Sequence, residues 1–198
     1  MQIGIDANCW ANRRGYGRFT RELLQAMLAA DRHNTYWFFL DSDTQRQAVD
    51  IPSRVQQVIV PTSRAAVEAA SADGSRSPRD LWAMSEAVRR HRPVLDVFYF
   101  PSVYTFYPLR IHTPVAVCIH DTIPERFPNL VFSNRKARFL WGLKVRWAVR
   151  QAKMILTVTQ TSQRTISDHF GITSERIRVV PDAASAVSVS YTHLDCRP

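Results

Sequence analysis

The feature that most constrains this chain is a repeated alternation of two hydrophobic periods. Short runs of apolar, β-branched and aromatic residues take turns with longer stretches whose apolar positions recur at helical spacing. Gln2-Ile3-Gly4-Ile5-Asp6-Ala7 opens the chain as a run of the kind buried in a parallel sheet. A polar loop follows, and then Phe19, Leu23, Met27 and Ala30 recur as one face of a helix. Tyr36 to Leu40 predicts a strand closed by a turn at Asp41-Ser42-Asp43, and Val55 to Val60 another, ended by Pro61. Further strands are expected over 94–100, 114–119, 154–159 and 176–180. Ser77-Pro78 predicts a helix start with Ser as N-cap and Pro at the first helical position, running to about Arg92, where Pro93 stops it. Ser133 to Lys153 reads as a long helix, and a last one begins near Thr161 and stops before Gly171. The Ala/Ser-rich stretch 63–77 fits a loose helix or a loop. Such alternation predicts an α/β layer fold with a mainly parallel sheet.

Composition then removes whole classes. The chain has 198 residues, 45% of them hydrophobic and 22% charged, which is globular material rather than a disordered tail. No apolar run approaches a bilayer span, and the N-terminus reads as a strand rather than a signal peptide. Three cysteines without a CxxC pair make no disulfide framework, so reduced thiols and a cytoplasmic setting are expected. The 26 Lys and Arg against 17 Asp and Glu give a net charge of +9. That balance suits nucleic acid, an anionic membrane surface or a phosphate-bearing substrate. No nucleic-acid motif accompanies the charge, and none is expected to bind.

Three places carry chemistry. The first is the loop ending in Gly15-Tyr16-Gly17-Arg18, which a parallel sheet places at the carboxyl edge of its strand. Glycines there let backbone approach an anion at a helix start, or they simply make a turn. Thr20 stands where a dinucleotide fingerprint needs its third glycine, and no Gly-Lys-Ser/Thr follows. The second is His120-Asp121, directly after the run 114–119. Imidazole there can donate a hydrogen bond or act as a base near neutral pH, or it caps the sheet. Asp121 cannot face the same way in an extended segment and is expected to fix the loop. His33, His91 and His169 have no partner pattern, and no zinc spacing occurs.

The third is the long basic helix, within a stretch free of Asp and Glu between Arg126 and Arg164. Arg135, Arg138, Arg146, Arg150 and Lys153 share one face of it, and Ala137, Trp141, Val145, Ala148 and Ala152 a neighbouring one. That arrangement suits an anionic surface, or a helix packed on its apolar side with its charges solvated.

Taken in order, these motifs resemble the N-terminal domain of a family 4 glycosyltransferase with the GT-B fold. The matching residues run from Ile3-Gly4-Ile5-Asp6-Ala7 through Gly15-Tyr16-Gly17-Arg18-Phe19-Thr20-Arg21-Glu22-Leu23-Leu24. They continue in His120-Asp121-Thr122-Ile123-Pro124, the Arg-rich helix, 155–162 and Glu175-Arg176-Ile177-Arg178-Val179-Val180-Pro181. The resemblance covers about residues 1–182 and implies one Rossmann-like domain, with helices on both faces of its sheet. Loops 8–17, 101–113 and 120–132 would share one edge and form an open cleft.

By that resemblance the chain is the acceptor-binding half of a truncated retaining sugar transferase. A missing C-terminal domain would bind the nucleotide-sugar, the only co-substrate expected, with no cofactor and no metal. Gly15, Tyr16 and Gly17 would meet the donor diphosphate, and His120 would be the active-site histidine beside the transferring sugar. Asp121, Thr122 and Tyr104 are acceptor-side candidates for a glycan or lipid-linked acceptor; Phe106 and Tyr107 join Tyr104 as candidate sugar or lipid contacts, or else their loop packs on itself. Arg135, Arg138, Arg146 and Arg150 are membrane-surface candidates, which would put the protein on the inner membrane face. Two departures stand out: Asn8 occupies a position where many relatives carry Arg, and no two glutamates have the Glu-x7-Glu spacing of the donor half. Alone, the chain would be inactive. The alternative is a non-catalytic basic α/β module that binds an anionic membrane or acidic polymer. Residues 183–198 resemble translated adapter or vector sequence, or else form a native flexible terminus, and carry no site.

Overall fold

A computed structural model describes residues 1–48, 50–63 and 77–181. The readings of the Ala/Ser-rich stretch and of the tail at 183–198 lie outside the described residues. The strands are β1 (Gln2–Asp6), β2 (Thr35–Asp41), β3 (Gln56–Val60), β4 (Val97–Phe100), β5 (Val115–Cys118), β6 (Ala152–Thr157) and β7 (Ile177–Val179). They form one seven-stranded sheet in the order β3-β2-β1-β4-β5-β6-β7. Every pairing is parallel. The fold is the parallel α/β arrangement that the alternating periods predict, and it is Rossmann-like as the resemblance implies.

The helices are α1 (Gly15–Ala30), α2 (Ser42–Gln47), α3 (Pro78–Arg90), α4 (Ile123–Arg126), α5 (Pro128–Val131), α6 (Arg135–Gln151) and α7 (Gln160–Phe170). Strand residues alternate between two cores, as pleating requires. Phe39, Phe98, Phe100, Val115, Val117 and Ile155 join Met84 and Val88 of α3, Trp141 and Val145 of α6 and Ile166 of α7. Ile3, Ile5, Phe38, Tyr99 and Cys118 join Leu24 and Leu28 of α1 on the other face. Gly4 sits between two isoleucines for a steric reason. A Cβ there would stand 2.6 Å from Leu95 Cδ1 and 2.7 Å from Phe98 Cδ2, inside van der Waals contact.

Several boundaries differ from the sequence reading. The expected turn at 41–43 opens α2 instead, because the Asp41 carboxylate accepts the Thr44 N–H at 2.7 Å and the Thr44 hydroxyl at 2.8 Å. Ser77 holds the N-cap position of α3 without a side-chain cap. The acidic anchor of that turn is Asp80, which accepts both the backbone N–H and the hydroxyl of Ser63. The long helix starts after Asn134, whose side chain accepts the Ala137 N–H. It ends at Gln151 because Ala152 already pairs with Val115, so Lys153 belongs to β6 and not to the helix. Thr159 caps α7 at one end, and Gly171, at φ 63°, closes it at the other in the left-handed conformation that only glycine adopts without cost.

His91, at the C-cap of α3, lies edge-on against Trp37 at 4.4 Å and Phe39 at 5.3 Å. Its Nε2 is buried without a hydrogen-bond partner among the described residues. Burial, and secondarily the neighbouring Arg92 charge, hold its pKa below the ordinary 6.5. The unfolded chain therefore binds more protons than the folded one in this window, so stability falls as pH drops below about 6.5 and through the lowered native value. Urea unfolding of the wild type and of His91→Leu between pH 5 and 8 should show this slope in the wild type and a flatter one in the variant.

Candidate functional site

Order in the sheet reverses between β1 and β4, since β2 and β3 lie to one side and β5 to β7 to the other. In open parallel sheets, ligands bind outside the carboxyl ends of the strands at such a switch point. The loops after β1, β4 and β5 all leave from this edge, and side chains tie them together. Cys9 Sγ lies 3.4 Å from Thr105 Oγ1, joining the first two. The Tyr16 and Tyr104 rings stack with centroids 5.0 Å apart, and Phe19 of α1 meets His120 edge-on at 4.8 Å. Gly15 and His120 thus lie on the same edge of the sheet.

The loop after β1 is built by three residues that hold one another. Asn12 Oδ1 accepts the Arg14 N–H at 2.7 Å, and Asn12 Nδ2 donates to the Tyr16 hydroxyl at 2.7 Å. From within α1, Arg21 Nη1 donates to the Trp10 and Asn12 carbonyls at 2.5 and 2.8 Å. Gly17 lets the helix seat against them, because a Cβ there would lie 2.1 Å from the Asn12 carbonyl oxygen. Around Gly15, by contrast, an added Cβ meets nothing within 4 Å. The first turn of α1 has no side-chain cap and no acidic residue, and Arg13, Arg14 and Arg18 are exposed beside it. A helix N-terminus without an acidic residue in its first turn and with cations beside it favours an anion.

His120 is half-buried. Its Nε2 stands 3.9 Å from Cys118 Sγ, and its carbonyl accepts the Thr157 hydroxyl at 3.4 Å. Asp121 fixes the loop, its Oδ1 accepting the Ile123 N–H at 2.9 Å. Thr122 is buried at the N-cap of α4, and its carbonyl accepts the Arg126 N–H to close that single turn. Tyr104 is half-buried, packed between Tyr16 and Trp141, whose ring lies 5.2 Å away. Burial, then the Asp121 and Glu125 charges, push its phenol up to about 12. Burial likewise raises the Tyr16 phenol, so both hydroxyls stay protonated at neutral pH. Of the two readings of Phe106 and Tyr107, the self-packed loop is the one found: both are fully buried core residues with rings 5.0 Å from Phe100. Arg135, Arg138, Arg146 and Arg150 are exposed along α6.

Sequence reasoning missed Glu125 and the role of Trp141. The indole Nε1–H donates to Glu125 Oε1 at 2.6 Å, and burial raises the pKa of that carboxyl, with the indole hydrogen bond partly opposing it. Lys144 Nζ stands 4.5 Å over the Trp141 ring and donates to the Tyr104 carbonyl at 3.2 Å. The two partners are 16 residues apart in different elements, and no local spacing signals the pair. Asn8, the departure from the family pattern, is fully buried and structural. It donates to Asp6 Oδ1 at 2.5 Å and accepts the Asp41 N–H at 2.8 Å, joining the ends of β1 and β2. Among the described residues no cluster of three or more His, Cys, Asp or Glu could hold a metal ion.

The fold and its switch point define a Rossmann-like α/β domain with the loops of three strands gathered at one edge. Residues 13–184 match the profile of Glycosyltransferase Family 4, and the chain belongs to that family. No match is found among curated proteins.

The two glycines make opposite predictions. Gly17→Ala should lower stability by about 1–3 kcal/mol, because a methyl group would drive the helix start off the Asn12 backbone. Gly15→Ala should change it by no more than about 0.5 kcal/mol, in either direction. Urea midpoints at fixed pH compare them.

Proposed function

We propose that this chain is the acceptor-side half of a retaining glycosyltransferase, moving a sugar from a nucleotide-sugar donor to a glycan or lipid-linked acceptor. The observation that carries the reading is the meeting of the bare α1 N-terminus and His120 at the switch point, bridged by Phe19, in a family 4 domain. In this reading the Gly15-Tyr16-Gly17 turn faces the donor diphosphate, and His120 touches the transferring sugar. Tyr104, Asp121 and Thr122 border the acceptor, with only Tyr104 and Asp121 presenting accessible side chains. A second Rossmann-like half supplies the remaining donor contacts, so the isolated chain turns over no substrate. A cytoplasmic setting suits Cys9 and Cys118, both buried as thiols.

The transfer breaks the bond between the anomeric carbon and a diphosphate oxygen and forms one to an acceptor hydroxyl oxygen, whose proton leaves with the departing diphosphate. Negative charge grows on the departing diphosphate while positive charge grows on the sugar. Groups aimed at those positions before the reaction stabilise both without reorganising. The α1 N-terminus, with Arg13 and Arg14 beside it, meets the first charge. An uncharged imidazole meets the second without the repulsion that another cation would bring.

In the full-length enzyme, His120→Ala should lower kcat about a hundredfold, roughly 2.7 kcal/mol, with a smaller change in donor KM. Steady-state kinetics with varied donor checks this. Near-wild-type turnover in a folded variant would make His120 structural and sink the assignment.

A further inference from the structure

The face of α6 turned away from the sheet is not a solvated polar one. Its inward stripe is Trp141, Val145, Ala148 and Val149, all buried. On the opposite side Phe139, Leu143 and Trp147 follow one another at four-residue spacing, with Leu140 alongside. Phe139 is 69% exposed, Trp147 50%, Leu143 49% and Leu140 45%. Arg135, Lys136, Arg146 and Arg150 are interleaved with them or flank them, and all four are exposed. Just before the helix, Leu130 is 84% exposed. From Phe127 to Gln163 the sequence contains no Asp or Glu, so no anion neutralises this stretch from within. No helix among the described residues is long and apolar enough to cross a membrane.

One exposed leucine means nothing, but four large apolar side chains in a stripe among cations need a partner of matching chemistry. A second copy of the chain fits poorly, because a two-fold contact through this face would set its cations against their own copies. Nucleic acid would engage the guanidinium groups and leave Phe139 and Leu143 without a partner. An anionic bilayer takes both sets. Its acyl boundary receives the aromatic and aliphatic side chains, while headgroup phosphates meet the Arg and Lys termini, which reach outward on flexible stems.

We propose that the outward face of α6 is a docking surface for an anionic lipid bilayer, with the helix lying in the headgroup plane. The proposal is independent of the sugar-transfer reading, since no residue of the switch-point site takes part. Lys144, the cation of α6 that serves that site, points inward.

Co-sedimentation with vesicles tests it directly on the 198-residue chain. At low salt the chain should sediment with phosphatidylcholine vesicles containing a third phosphatidylglycerol, and not with phosphatidylcholine alone. Each cation at such a surface multiplies partitioning about fivefold, so R146E/R150E and high salt should each weaken binding by more than about tenfold. The triple variant F139S/L143S/W147S keeps every charge and should also lose about tenfold or more. Circular dichroism melts confirm that each variant is folded, and Leu143→Ser alone serves if the triple is not. Quenching of tryptophan fluorescence by bromine-labelled lipid should fall in W147F. Equal binding to neutral vesicles, no binding to anionic ones, or undiminished binding by the folded apolar variant would each overturn the proposal. The last result would mark the face as a general polyanion surface.

Discussion

Parallel pairing of β1 with both β2 and β4 is the constraint on which the rest of the molecule depends. A parallel neighbour requires the chain to cross back over the sheet, and here the strands of the first half lie to one side of β1 and those of the second half to the other. Every loop that follows a strand then emerges at one edge, and the loops after β1 and β4 diverge at the reversal. Residues as distant in sequence as Tyr16, Tyr104 and His120 become neighbours there for topological reasons. Gly4 is part of the same requirement. Because β1 is central, both its faces are filled, and Leu95 and Phe98 leave no room for a side chain on one of them.

The site inherits its precision from packing more than from its own polar groups. Arg21 and Gly17 work as a pair: the guanidinium grips the Trp10 and Asn12 carbonyls, and the missing Cβ lets the helix come near enough for that grip. Asn12, held in place, then orients the Tyr16 hydroxyl. A motif readable as a phosphate-binding glycine loop therefore has a second physical cause. Gly17 is needed for the loop's shape whether or not a diphosphate binds, while Gly15, open on all sides, carries no such steric need.

How much was legible in the sequence follows from the range of the signals. Alternating periods of two and 3.6 are local, so the order of strands and long helices could be read directly, as could the shared edge of the three loops. Caps are also local, but they compete. Ser77 looked like the stronger signal, yet Asp80 became the anchor because Ser63 folds back to meet it. The six polar residues of α2 have no apolar stripe, so nothing but the Asp41 cap announces a helix. Phe106 and Tyr107 lie in a loop between strands, which is ordinarily exposed, so local sequence leaves ligand contact and self-packing both open. Here the loop passes beneath α6 and completes the core around Phe100. The bond between Glu125 and Trp141 is tertiary and has no counterpart in local pattern.

Helix α6 shows why the same residue types take different roles on one element. Its sequence mixes cations and large apolar side chains all round, so composition alone does not tell inside from outside. Placement against β5 and β6 decides. Trp141 turns inward, donates to Glu125 and carries Lys144 over its ring, so the inner face buttresses Tyr104 and through it the Tyr16 stack. Two residues on from Trp141, Leu143 points away from the sheet with Phe139 and Trp147 and supports none of these contacts. Removing an outer side chain leaves the inner hydrogen bonds and ring contacts whole, whereas removing Trp141 strands the Glu125 carboxylate in a half-buried position without its donor. Surface chemistry on α6 is therefore free to vary independently of the site, and a rigid 17-residue helix fixes the direction in which the switch-point edge faces whatever the outer stripe engages.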